Sequence, residues 1–225
     1  MKSIAILLAG TALAVASQAA TVTFSFGSPT LALQTTEINQ TGNLGFFDNA
    51  LGTLTSVSLT VFGVTDTKLT LTNNAAQSQL IRVQSNSSLF FSSTLGSLNG
   101  LFSTLNPLLS LQSIDTGFVN LAGNGGTQTF DPVAVSDNRS FSAQLDGFKA
   151  SFIGAGNFAV GCTSLNGDTT TGGGGNVVKS QDTVAGCGAS IVYTYSARPT
   201  QVPEPGALAL VGIALAGLAL ARRKA

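Results

Sequence analysis

Between residues 20 and 201, apolar side chains return at every second position in short stretches, with Thr and Ser in the gaps. Val57, Leu59 and Val61 alternate with Ser58, Thr60 and Phe62; Leu69 and Leu71 with Thr70 and Thr72; Phe141, Ala143 and Leu145 with Ser142 and Gln144. A period of two belongs to a strand with one face buried. The same pattern predicts strands over Thr21–Phe26, Gln79–Gln84, Ser88–Ser92, Phe148–Ile153, Phe158–Cys162 and Ser190–Ser196. Many short strands separated by Gly, Asn and Ser predict an all-β fold, an antiparallel β-sandwich. Leu95, Leu98, Phe102, Leu105 and Leu109 instead follow helical spacing, but Gly96, Gly100 and Pro107 limit the expected helix to one or two turns. The consecutive Gly172 to Gly175 make Asn166–Asn176 the expected flexible loop. Phe47 reads as an aromatic docked in the core, Asp48 as a turn-capping carboxylate, Gly52 as a positive-φ residue before a strand, and Asn73-Asn74 as a turn.

The chain contains no histidine, which removes Ser-His-Asp and Cys-His chemistry and the usual zinc sites. Residues 20 to 202 hold six Lys or Arg and nine Asp or Glu, with no basic cluster, so nucleic-acid binding is not expected. The glycines fail the phosphate-binding templates: Val178-Lys179-Ser180 lacks the glycine of a P-loop, and Gly154-Ala155-Gly156 lacks the third glycine of a dinucleotide loop. No cofactor or metal is expected. The triplets at Asn39, Asn86 and Asn138 match an N-glycosylation acceptor but are common in a chain of this composition, and no role is assigned to them.

The two ends read as addresses. Lys2, the apolar run Ile4–Ala16 and the small residues Ser17 and Ala19 form a secretory signal peptide over 1–19, with cleavage between Ala19 and Ala20. Gly206–Ala221 has no polar side chain and is followed by Arg222, Arg223 and Lys224. As a helix it would reach about 24 Å, short of the roughly 30 Å hydrocarbon core but within what local thinning accommodates. The three cations would stay on the cytoplasmic side of the inner membrane and leave the domain outside. Val202-Pro203-Glu204-Pro205 stands just before this run. Pro203-Glu204-Pro205, the apolar helix and the basic cluster together resemble the PEP-CTERM sorting signal of Gram-negative bacteria, over 202–225. The resemblance implies Sec export, then processing by an exosortase, a membrane-embedded thiol enzyme that removes the tail as the protein is sorted to the surface or extracellular matrix. A plain single-pass anchor is the alternative.

The middle carries a second resemblance. Phe47-Asp48-Asn49-Ala50-Leu51-Gly52-Thr53-Leu54-Thr55-Ser56-Val57, then Leu69-Thr70-Leu71-Thr72-Asn73-Asn74, then Gly175-Asn176-Val177-Val178 leading to Val192-Tyr193-Thr194-Tyr195, are similar to the landmarks of the choice-of-anchor E family. This implies that 20–201 is a bacterial surface domain of that kind, whose family activity is unassigned.

Cys162 and Cys187 are the two cysteines, and an even count in an exported chain predicts a disulfide. Both lie in phase with inward-facing neighbours, and the bridge would tether the Gly-rich loop. A catalytic thiol lacks a histidine partner. Glu37 and eight Asp offer carboxyl groups for a glycosidase; Asp131, Asp137 and Asp146 group most closely, but beside the turn formers Pro132, Asn138 and Gly147 they read as turn carboxylates. The leading expectation is a non-enzymatic structural or interaction component of the envelope, with exosortase, the inner membrane and exopolysaccharide or other matrix components as partners. A carbohydrate-binding or adhesin module is the second reading; it calls for exposed aromatics on a flat sheet, for which Tyr193 and Tyr195 are the tyrosines available. An envelope glycosidase using an Asp pair is the third.

Overall fold

A computed structural model describes residues 19–27, 32–131, 137–198, 212, 213, 215 and 222. The sheets run antiparallel throughout. One has the order β1 (Ala19–Phe26), β11 (Val177–Ala197), β4 (Gly52–Asn73), β8 (Gly126–Phe130), with β2 (Gln34–Thr35) also on β11 and β9 (Asp137–Gln144) also on β4. The other has the order β3 (Asn39–Gly45), β10 (Asn157–Gly172), β5 (Gln79–Ser93), β6 (Leu109–Asp115), with β7 (Val119–Leu121) also on β5. The chain crosses between sheets from β4 to β5 and from β10 to β11, and these two arches lie side by side, with Asn74 N donating to Asn176 O at 2.9 Å.

The sandwich is built from long strands, against the expectation of short ones. β4 has 22 residues and β11 has 21, about 70 Å each at strand rise. The segments read separately as 57–62 and 69–72 are one strand, as are 79–84 and 88–92. The gaps between them are places where inward-facing residues turn polar while the period of two continues. Thr65 and Thr67 in β4, Ser85 and Ser87 in β5, Ser113 in β6 and Thr183 in β11 are each no more than 5% exposed. This belt divides the interior into a large apolar core around Leu44, Phe47, Val57, Leu89 and Tyr193 and a smaller one of Leu69, Leu71, Ile81, Val83, Ile114 and Leu121.

Three further expectations are corrected. Residues 166–172 are the end of β10, paired with β5 through Gly172↔Ile81, so only 173–176 form the connection to β11. Pairing with the neighbouring β5 holds Gly167 and Gly172 in the strand, against the usual weakening effect of an interior glycine. Residues 148–153 lie mainly in a 3-10 helix, Asp146–Phe152, that inserts the fully buried Phe152 into the core. The helix at Gly96–Thr104 has nine residues despite Gly96 and Gly100, because Leu98 and Phe102 are buried beside β5. Tertiary packing overrides a propensity penalty of about 1 kcal/mol per glycine. The side of the sandwich where β1 faces β3 is closed by two rings: Phe26 lies over Gly42 and Phe24 over Gly45, where a Cβ would overlap the rings.

Candidate functional site

Both ends of the domain emerge together. Ala19 pairs with Ser196 at the start of β1, and Gly52 pairs with Ala197 at the start of β4. Gly52 adopts φ +154°, and a side chain there would run into the Ser196 carbonyl. Arg198 is fastened to the 48–51 turn: its N donates to Leu51 O at 3.4 Å and its Nη2 to Asn49 O at 3.2 Å. Asp48 Oδ1 accepts from Ala50 N at 2.8 Å, the turn cap expected of it. The Ala19–Ala20 bond, read as the cleavage site, therefore lies at the first residues of β1. Pro203, Glu204 and Pro205 lie outside the described residues, as do Arg223 and Lys224; Gly212, Ile213 and Leu215 are helical, and Arg222 is in a turn. Among the described residues no helix is long and apolar enough to cross a membrane, and most of 206–221 falls outside them.

Cys162 and Cys187 form the disulfide, with Cα atoms 6.6 Å apart and both residues buried. The bridge joins β10 in one sheet to β11 in the other, so it ties the two layers together rather than tethering a loop. Gln40 on β3 supports it: its Oε1 accepts from Cys187 N at 3.0 Å and its Nε2 donates to Ala32 O at 2.6 Å. A hollow of about 430 Å³ beside Phe26, Gln34 and Gln40 reaches Cys187.

The polar belt pairs its groups both across the interior and within each sheet. Thr65 Oγ1 and Ser87 Oγ share a hydrogen bond of 3.0 Å between the sheets, and Gln181 Nε2 donates to Ser85 Oγ and Thr183 Oγ1, both at 3.1 Å. Thr67 and Thr183 hydroxyls are 3.0 Å apart, and Ser87 Oγ donates to Asn166 Oδ1 at 2.5 Å. Sequence reading missed this belt, although serines and threonines in the inward phase of a strand signal it. Asn73 is fully buried and makes its turn by donating from Nδ2 to Gln77, Leu121 and Ala122 carbonyls while Oδ1 accepts from Ala75 N.

The grouped carboxylates separate. Asp146 Oδ1 accepts from Ser56 Oγ and Val57 N, both at 2.8 Å, and these bonds hold its pKa below the ordinary carboxylate value. Asp131 is exposed, and Asp137 begins β9 rather than a turn, with Asn138 following in the strand. Tyr193 is fully buried; its hydroxyl donates to Gly45 O at 2.9 Å, and burial pushes its pKa far up. Tyr195 packs against Phe47. Neither tyrosine forms an exposed platform. Among the described residues no three His, Cys, Asp or Glu are grouped to hold a metal ion.

A carboxylate not singled out in the sequence is the most strongly held. The Arg82 guanidinium, donating from Nε at 2.9 Å and Nη2 at 2.5 Å, keeps the Asp115 carboxyl far below its usual range, helped by Gly117 N and Gln84 Nε2. A depressed pKa contributes stability above the unfolded value, about 3.9, which is lost as pH falls through the folded value. The stability difference between the native chain and Asp115→Asn is thus expected to hold from neutral pH down to about pH 5 and to narrow progressively below about pH 4. Urea midpoints across that range check it. A difference that stays constant into strong acid would contradict it.

Residues 201–224 match the family model of the PEP-CTERM protein-sorting motif. That motif marks an exported protein that an exosortase sorts to the surface of a Gram-negative cell. No curated protein matches the chain. Solved structures with some likeness include the infectious bursal disease virus Gx strain, at 9% identity over 96% of this chain and 52% of the other with a TM-score of 0.23. The VP2 subviral particle of the same virus gives 12% identity over 94% and 53%, with a TM-score of 0.21. The chain spans about half the length of these viral chains.

Proposed function

We propose that this protein is a non-catalytic structural or interaction component of the envelope or extracellular matrix, made as a signal peptide (1–19), a choice-of-anchor E-like sandwich (20–201) and a sorting tail (202–225). In this reading the chain leaves by the Sec route, Gly206–Ala221 holds it in the inner membrane, and an exosortase then removes the tail. The observation that carries the proposal is the sorting motif at 201–224, which begins shortly after the last strand ends at Ala197. The character of the surface supports it. The outer face of the β1-β11-β4-β8 sheet presents hydroxyl pairs such as Thr60 with Ser142, Thr70 with Thr129 and Thr72 with Thr127, at 2.9 to 3.1 Å. Such a face suits uncharged, hydroxyl-rich matrix polymers, whose contacts are hydrogen bonds rather than ion pairs.

Replacing Pro203, Glu204 and Pro205 by alanine should leave export intact and block tail removal. Intact-mass measurement of the surface protein is then expected to find residues 206–225 retained in the variant and absent from the parent. Identical C-termini in the two would leave a simple anchor in place of exosortase sorting.

A further inference from the structure

The end of the sandwich from which the tail leaves has an apolar fringe. Leu51 is 43% exposed and Ile153 42% exposed. The two loops that carry them are joined by backbone: Phe47 N donates to Phe152 O at 2.8 Å, Gly154 N to Phe47 O at 3.1 Å and Phe46 N to Gly156 O at 3.1 Å. Between them lies a hollow of about 480 Å³, lined by Phe46, Asp48, Asn49 and Ile153 among others. We infer that this end rests on the bilayer, with Leu51 and Ile153 entering the interfacial layer while the tail is still attached. The inference rests on reading Gly206–Ala221 as a membrane span.

Chain length keeps this end close to the bilayer. Arg198 is bonded to the 48–51 turn, so slack begins only at residue 199, and the residues from there to 205 reach at most about 25 Å fully extended. Exposure alone does not select this end, because Leu80 and Phe118 are 55% and 57% exposed near the far end of β4 and β5. The tether selects it: the far end stands roughly 60 Å away at strand rise. Charges near the tethered end are balanced, Arg198 and Lys149, which donate to Asn49 O and Thr55 O, against Asp48 and Asp146, which accept from Ala50 N and Ser56 Oγ. The partner is therefore a bilayer interface entered by apolar side chains rather than an anionic lipid read by cations.

The chain has no tryptophan, so one can be placed at will. Full-length Leu51→Trp, Ile153→Trp and Leu80→Trp proteins, made in a host without an exosortase, are reconstituted in phosphatidylcholine vesicles carrying lipids brominated high on the acyl chain. The same substitution at both ends controls for the membrane affinity of tryptophan itself, and Ile153→Trp serves if Leu51→Trp misfolds. Quenching at 51 and 153 is expected to be several-fold stronger than at 80. Carbonate washing of the vesicles separates the two ideas. Protein that stays with the lipid but is quenched equally at both ends, or not at all, overturns the docking and leaves the span. Protein that washes off overturns both.

Discussion

Phe47→Ala is expected to lower the stability of the domain by about 3–5 kcal/mol, the range for removing a buried aromatic ring from a core that cannot collapse around the gap. Phe47 is fully buried, and its ring centroid lies 5.8 Å from that of Tyr193 and 5.3 Å from that of Tyr195. Its backbone is held on both sides by Phe152 and Gly154, so the chain cannot move in to fill the space. Tyr193 would lose its neighbour while its hydroxyl stays bound to Gly45 O. Denaturant titration should give a lower midpoint with an unchanged slope. Leu165→Ala, at a position 53% exposed, is the matched control and should stay within about 0.5 kcal/mol of the parent. A loss below about 1 kcal/mol for Phe47→Ala would mean that the aromatic cluster is not tightly packed.

The double replacement Cys162→Ser with Cys187→Ser should cost about 3–4 kcal/mol, from the loop entropy that the bridge removes from the unfolded chain. The two cysteines are 25 residues apart in sequence, and that separation sets the size of the term. Because the bridge links β10 to β11 across the interior, the loss should appear as weaker attachment between the layers. Hydrogen exchange should rise in both strands around positions 162 and 187, not in residues 173–176 alone. Thiol labelling of the denatured, unreduced parent should find no free thiol. Two reactive thiols there would leave both cysteines as small buried hydrophobes, and the layers would be held by packing alone.

Much of the strand content was legible because alternation is a local signal: a residue and its second neighbour share a face whatever the rest of the chain does. The inward phase of Cys162 and Cys187 followed from it, whereas Phe47 and the Asp48 turn were legible from residue type and turn chemistry. Where alternation stays but hydrophobicity lapses, as at Thr65 to Thr67 or Ser85 to Ser87, a local reading ends the strand. A buried hydroxyl is acceptable only with a partner, and the partner of Thr65 is Ser87 in the other sheet. The sorting tail was legible for a different reason: it is recognised as a linear segment, so its residue order is its information.

The amino-acid sequence by itself determined that the chain is β-rich, that its two cysteines face inward and that it carries a PEP-CTERM tail. The tertiary structure alone decided the lengths of the strands, the polar belt between two apolar cores, the crossing of the disulfide from sheet to sheet and the shared exit of both ends. Each of these depends on pairing between residues far apart in the chain, Ala19 with Ser196 and Gln181 with Ser85 among them. A period of two states which face a residue takes. Only the register between strands states what it meets there.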